Sequence, residues 1–163
     1  MTERNLLEGK RILIVDDEPD VLETLADLLT GCEVETAASF DEASEKIDGG
    51  SFDMAILDIM GVDGYKLLEI ATQRKITAVM LTANALSPED TIKSHREGAA
   101  YYLPKEEMAN IEQHLNDVLK AQAAGKSTWS RWFDRFSSFY EEKFGPDWQA
   151  KNKDYWDKFK GYY

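Results

Sequence analysis

Four short apolar runs, each stopping at a polar group, constrain this chain more than any other feature. The first, Arg11-Ile12-Leu13-Ile14-Val15, ends in Asp16-Asp17-Glu18. Met54-Ala55-Ile56-Leu57 ends in Asp58, Thr77-Ala78-Val79-Met80-Leu81 ends in Thr82, and Ala99-Ala100-Tyr101-Tyr102-Leu103 runs through Pro104 to Lys105. Each run is too short for a helix and too uniformly apolar for a half-exposed strand, so all four read as strands covered on both faces. A fifth strand, Glu33–Ala37, is more polar and suits a sheet edge.

Between the strands the apolar residues recur at helical spacing: Val21, Leu22, Leu25, Leu28 and Leu29; Phe40, Ala43 and Ile47; Tyr65, Leu67, Leu68 and Ala71. Pro19 suits a first helical turn, Ser39 a cap, and Ser87-Pro88-Glu89-Asp90 a complete helix start. That last helix has Ile92 as its one large aliphatic residue, which predicts shallow packing. A final helix carries Met108, Ile111, Leu115, Val118 and Leu119. Five strands alternating with five helices through short connections predict an α/β fold with a doubly wound parallel sheet.

In such a sheet the strand ends share one edge, where ligands bind. Asp16, Asp17, Asp58, Thr82 and Lys105 can therefore converge. Three carboxylates so close need a cation or a raised pKa, and a hard divalent ion such as Mg²⁺ meets that need. Lys105 supplies a compact positive charge for a phosphate oxygen, and Thr82 a hydroxyl. The chemistry that uses this set is phosphoryl transfer to a carboxylate, with Asp58 as nucleophile.

The totals restrict the alternatives. With 163 residues and a net charge of -12, the chain has room for one domain and a small appendage, and lacks the basic face that nucleic acid requires. One cysteine, Cys32, excludes an intramolecular disulfide and a multi-cysteine metal site, and its place between a helix and a strand suggests a buried structural thiol. No apolar stretch approaches a membrane span or a leader, so a cytoplasmic location is expected.

Residues 9–123 resemble a response regulator receiver domain of two-component signalling. The likeness rests on Ile12-Leu13-Ile14-Val15-Asp16-Asp17-Glu18, Ala55-Ile56-Leu57-Asp58, Leu81-Thr82-Ala83 and Gly98-Ala99-Ala100-Tyr101-Tyr102-Leu103-Pro104-Lys105. It implies a flavodoxin-like sheet of order 2-1-3-4-5. It also implies that Asp58 accepts a phosphoryl group from a sensor histidine kinase. By the same resemblance Asp17, Asp58 and the Met60 carbonyl ligate Mg²⁺, Asp16 acts through water, and Thr82 and Lys105 contact the phosphoryl oxygens. Tyr102 matches the family's aromatic switch. Two features depart from the family pattern: the loop after Asp58 is shorter than usual, with Gly64 six positions on and Gly61 where a proline is expected, and Glu106 follows Lys105 where a proline is usual.

Beyond Gly125 the composition changes. Residues 1–125 hold 11 Lys/Arg against 25 Asp/Glu; residues 126–163 hold 8 against 6, and contain all four tryptophans. Trp129, Trp132, Phe133, Phe136, Phe139, Tyr140 and Phe144 form a broad aromatic stripe on one helix, which Gly145-Pro146 ends. Trp148, Tyr155, Trp156 and Phe159 suggest a shorter second helix. This extension, 126–163, can pack on the receiver, meet a partner or a second copy of the chain, or lie on a membrane surface, the last weakened by Glu141 and Glu142. The leading expectation is a phosphorylation-dependent switch whose output is altered protein contact with an unknown partner. Its rivals are a receiver-like adaptor that is never phosphorylated, and an aspartyl phosphatase, which would need a general acid where Met60 stands and a cap that the chain lacks.

Overall fold

The computed structural model describes residues 5–82 and 88–149. The strands are β1 (Arg11–Val15), β2 (Glu33–Ala37), β3 (Met54–Asp58), β4 (Thr77–Thr82) and β5 (Tyr101–Pro104). They pair in parallel in the order β2-β1-β3-β4-β5. The helices are α1 (Pro19–Leu28), α2 (Phe40–Gly49), α3 (Gly64–Gln73), α4 (Pro88–Arg96), α5 (Ile111–Ala123) and α6 (Thr128–Phe144). The alternation expected from the sequence is the alternation observed.

Local chemistry explains the helix starts. Pro19 occupies the first turn of α1, where the missing N–H leaves no bond unmade. The Ser39 hydroxyl accepts from the Glu42 amide, and Glu42 reaches back to accept from the Ala38 amide at 2.9 Å, a reciprocal cap. Met108, expected in the last helix of the sheet domain, lies instead in a 3₁₀ helix (Lys105–Asn110) that joins β5 to α5. The Cys32 thiol is half-buried rather than buried, and donates weakly to the Leu7 carbonyl at 3.4 Å.

Strand β3 is buried throughout, β1 and β4 are buried after their first residues, and β2 is the half-exposed edge. The opposite edge is different. Tyr101, Tyr102, Leu103 and Pro104 of β5 are all buried, although among the described residues no strand pairs with their outer edge. The cover is α6. Its Trp129, Trp132, Phe136 and Tyr140 face inward, and two indoles take the place of a neighbouring strand. Trp129 Nε1 donates to the Ala99 carbonyl at 2.7 Å, and Trp132 Nε1 donates to the Tyr102 carbonyl at 2.8 Å. An edge strand normally presents unpaired carbonyls to water or to other chains; here side-chain donors satisfy them.

On the other flank, Arg135 Nε pairs with Asp117 of α5 at 2.5 Å, and Phe136 stacks on His114 at 5.5 Å between ring centres. His114 is itself held between the Tyr101 hydroxyl at 2.8 Å and Glu107 at 3.1 Å, so a polar chain is buried with both ring nitrogens used. Burial lowers the imidazole's pKa. The shallow packing expected of α4 is corrected by the same helix. Thr91, Ile92 and Ser94 are all buried, because Tyr140 bonds to Thr91 and Trp129 meets His95 edge-on. Of the second helix expected after Gly145-Pro146, residues 150–163 lie outside the described residues; Trp148 is buried against Phe133 and Tyr140 in a turn.

Gly64 shows how closely the loop after β3 is fitted. A Cβ there would overlap the Asp58 carbonyl oxygen and approach Ile59 Cα at 2.8 Å. Gly64→Ala is therefore expected to cost about 2 kcal/mol, as overpacking against backbone does. Urea unfolding of the two proteins measures it; an unchanged midpoint would show that the loop yields freely.

Candidate phosphoacceptor site

Parallel pairing brings the expected residues to one edge of the sheet. Val15 lies opposite Leu57 in the β1–β3 register, so the next residues, Asp16 and Asp58, emerge side by side. On the other side of Asp58, β4 ends at Thr82, which lies opposite Pro104 of β5. Lys105 follows directly. Four sequence segments thus place Asp16, Asp58, Thr82 and Lys105 around one opening, all at the carboxyl ends of strands.

Asp58 is only 4% exposed, and Asp16 is fully buried. Burial raises the Asp58 carboxyl to about 6; Asp16 and Asp17 push the same way, and Lys105 opposes them. Lys105 Nζ sits among three acids, 2.9 Å from Asp16, 2.8 Å from Glu18 and 3.6 Å from Asp58. Burial alone would lower its pKa, but the hydrogen bonds it donates to Glu18 and Asp16 and the charge of Asp58 together hold the ammonium well above the ordinary lysine range.

Glu18 is a partner that sequence reasoning passed over. It ended the Asp16-Asp17-Glu18 run, and the run itself was the available signal. An Asp16 carboxylate oxygen accepts from the Glu18 amide at 2.9 Å, which turns the chain so that Glu18 faces Lys105. Carboxylate oxygens of Asp16, Asp17 and Glu18 all lie within 4.8 Å of one another. Asp58 lies 3.6 Å from the ammonium that Asp16 and Glu18 also hold. Such a set of hard oxygen donors, one of them buried, fits a small divalent cation.

The loop after Asp58 follows from its glycines. Gly61 has φ +85°, and a Cβ there would lie 2.5 Å from an Asp17 carboxylate oxygen. A glycine here thus leaves room for Asp17 to lie against the loop. Met60 projects its side chain into solvent, 68% exposed. Tyr102 is fully buried in β5, under α6. The buried acid, flanking hydroxyl and tethered ammonium together can receive a phosphoryl group and neutralise its oxygens.

Comparison with known proteins agrees with this geometry. The model of the response regulator receiver domain family matches residues 12–116. The transcriptional regulatory protein TcrA of Mycobacterium tuberculosis is 36% identical over 104 residues, which make up 61% of this chain and 41% of TcrA. The chain therefore spans less than half of that relative's length. The CheY-like response regulator receiver domain protein of Methanospirillum hungatei superposes with a TM-score of 0.58 at 32% identity, covering 69% of this chain and 98% of its own. A response regulator protein of Burkholderia pseudomallei, whose crystal structure holds a phosphorylated aspartic acid and a calcium ion, superposes with a TM-score of 0.60 at 26% identity, covering 72% of this chain and 73% of its own. The sheet order, the acids at its carboxyl edge and the family match over most of the chain lead to one assignment: this protein belongs to the response regulator receiver domain family of two-component systems.

Proposed function

We propose that this chain is a response regulator that accepts a phosphoryl group on Asp58 from the phosphohistidine of a sensor histidine kinase, and signals through altered protein contacts. The observation that carries the reading is Lys105, held within 3.6 Å of the buried Asp58 by two further acids. In the transfer, an Asp58 carboxylate oxygen forms the new bond to phosphorus as the bond from phosphorus to the donor nitrogen breaks. The imidazole nitrogen keeps that electron pair. Lys105 then exchanges a carboxylate partner for a phosphoryl oxygen, and Thr82 donates its hydroxyl to another.

Asp16, Asp17, Asp58 and the Met60 carbonyl would hold Mg²⁺, which when bound supplies charge neutralisation between the acids and the incoming phosphoryl group. Tyr102 is assigned the aromatic switch role. We divide the chain into a receiver, 9–123, and a helical extension, 126–163. The reading implies a cytoplasmic protein; among the described residues no helix is long and apolar enough to cross a membrane. Nucleic acid is not a partner in this reading, because the net charge of -12 opposes it. A second copy of the chain remains a partner to test through the extension, although α6 spends its aromatic face on β5.

The test is intact-mass measurement after incubation with Mg²⁺ and acetyl phosphate. The wild type should gain one phosphoryl mass, and Asp58→Asn none. Lys105→Met should lower the rate by about 100-fold or more, as losing a charge-stabilising donor does. Wild-type protein that gains no mass at any Mg²⁺ concentration would instead be an adaptor that uses the receiver fold without its chemistry.

A further inference from the structure

We propose that Glu18 is a positioning residue that restrains phosphorylation of Asp58: it tethers the Lys105 ammonium beside the reacting carboxylate instead of on it, so that removing the tether speeds the transfer. The inference rests on the reading of Asp58 as phosphoacceptor and gives a role to a side chain which that reading leaves without one.

The backbone fixes Glu18 on both sides. Its amide donates to an Asp16 carboxylate oxygen at 2.9 Å, and its carbonyl accepts from the Val21 and Leu22 amides at 3.1 and 3.3 Å as α1 begins. A side chain at this position commonly folds back to cap its own helix. The Glu18 carboxylate makes no such bond and accepts instead from Lys105, 87 residues away in the chain. Of the three acids around the ammonium, Glu18 is the nearest at 2.8 Å, with Asp16 at 2.9 Å and Asp58 at 3.6 Å. The last separation is too long for a full charge-assisted hydrogen bond. Lys105 therefore stands close to the carboxylate that reacts while its bonds go elsewhere.

A phosphoryl group arriving on Asp58 brings added negative charge and three strong acceptor oxygens, for which Lys105 is the facing cation. To serve them the ammonium gives up one of its acids, and burial decides which. The Asp16 side chain is 0% exposed, so its release would leave an unpaired charge in the interior, at high cost. The Glu18 side chain is 58% exposed, and water takes the place of the lysine there. Glu18 is thus the partner released, and the strength of its hold adds to the barrier. The flexible four-carbon lysine stem covers the distance with no shift of the backbone. A pair with one exposed member is weak, which sets the restraint at about two- to fivefold in rate.

The experiment uses the full chain at saturating Mg²⁺ with acetyl phosphate, and follows intact mass with time. An Asp58 oxygen bonds to phosphorus as the bond from phosphorus to the acetyl oxygen breaks, and acetate leaves with that electron pair. Glu18→Gln keeps the length and the backbone bonds and removes the charge; Glu18→Ala serves as the second variant, and circular dichroism shows that each is folded. The maximal rate should rise about two- to fivefold in both. Simple repulsion between Glu18 and the anionic donor would instead change only the donor concentration that gives half the maximal rate. Combined with Lys105→Met, Glu18→Gln should lose its effect, because the tethered group is gone. A readout free of the reaction is heteronuclear NMR of the Lys105 ammonium without Mg²⁺: its protons should exchange with water faster in Glu18→Gln. A maximal rate that is unchanged or lower, an acceleration that persists without Lys105, or unaltered ammonium exchange overturns the tether and leaves the phosphoacceptor reading standing. No mass gain in the wild type or either variant removes both.

Discussion

Trp132→Ala should destabilise the protein by about 4 kcal/mol, a sizeable part of the 5–15 kcal/mol by which domains are stable. Trp132 is 0% exposed, and its ring meets those of Trp129, Phe136 and Tyr140 at 5.3 to 5.7 Å between centres. Truncation leaves a cavity walled by aromatic rings, which cannot collapse without breaking the Phe136–His114 stack or the Tyr140–Thr91 bond. It also strips the Tyr102 carbonyl of its indole donor in a buried site, which adds a desolvation cost. Trp132→Phe should cost about half as much, because most of the ring remains. Urea unfolding followed by circular dichroism gives both values from the midpoints at constant slope. If α6 were an appendage resting loosely on a receiver that folds without it, Trp132→Ala would shift the midpoint by less than about 1 kcal/mol, within the range of surface substitutions.

The importance of Trp132 was only half legible in the sequence. Helical spacing disclosed the stripe of Trp129, Trp132, Phe136 and Tyr140, because periodicity is local. What the stripe covers is a property of the sheet's closing edge, which no local pattern encodes. A clue was present: Tyr101-Tyr102-Leu103 is as apolar as a central strand, yet the strand order makes it an edge. An edge that apolar needs a cover. The same omission explains the expectation of shallow packing for α4, whose Thr91 and Ser94 look like surface residues until Tyr140 and Tyr65 are placed on them. By contrast, the convergence of Asp16, Asp58, Thr82 and Lys105 was fully legible, because parallel strands deliver their ends to one side whatever else surrounds them. Glu18 was missed for a geometric reason: its role depends on the turn set by the Asp16 carboxylate, not on the strand that precedes it.

The second large effect concerns the same cluster of acids. In the absence of divalent cations, Asp58→Asn should stabilise the protein by about 3 kcal/mol at pH 7.5. Burial lifts the Asp58 carboxyl from its ordinary 3.8 to about 6, with Asp16 and Asp17 adding to the rise. A carboxyl whose pKa is higher folded than unfolded binds its proton more tightly in the fold, so ionisation favours the unfolded chain. No cost exists below about pH 4, where both states are protonated. The cost grows from about pH 4 to pH 6, while the unfolded chain has released its proton and the folded one has not, and is constant above. Asparagine keeps the shape and removes the charge, so its advantage should follow that curve: negligible near pH 4, complete above pH 6.5. Urea unfolding in EDTA across this range measures it, and an advantage that is flat with pH would mean that shape, not charge, separates the two side chains. Excess Mg²⁺ should reverse the order, since a ligand that binds the folded wild type stabilises it by mass action and the variant lacks one of the proposed ligand carboxylates. The residue that the fold tolerates least as an anion is thus the one that the proposed chemistry needs as an anion, and the cation reconciles the two requirements.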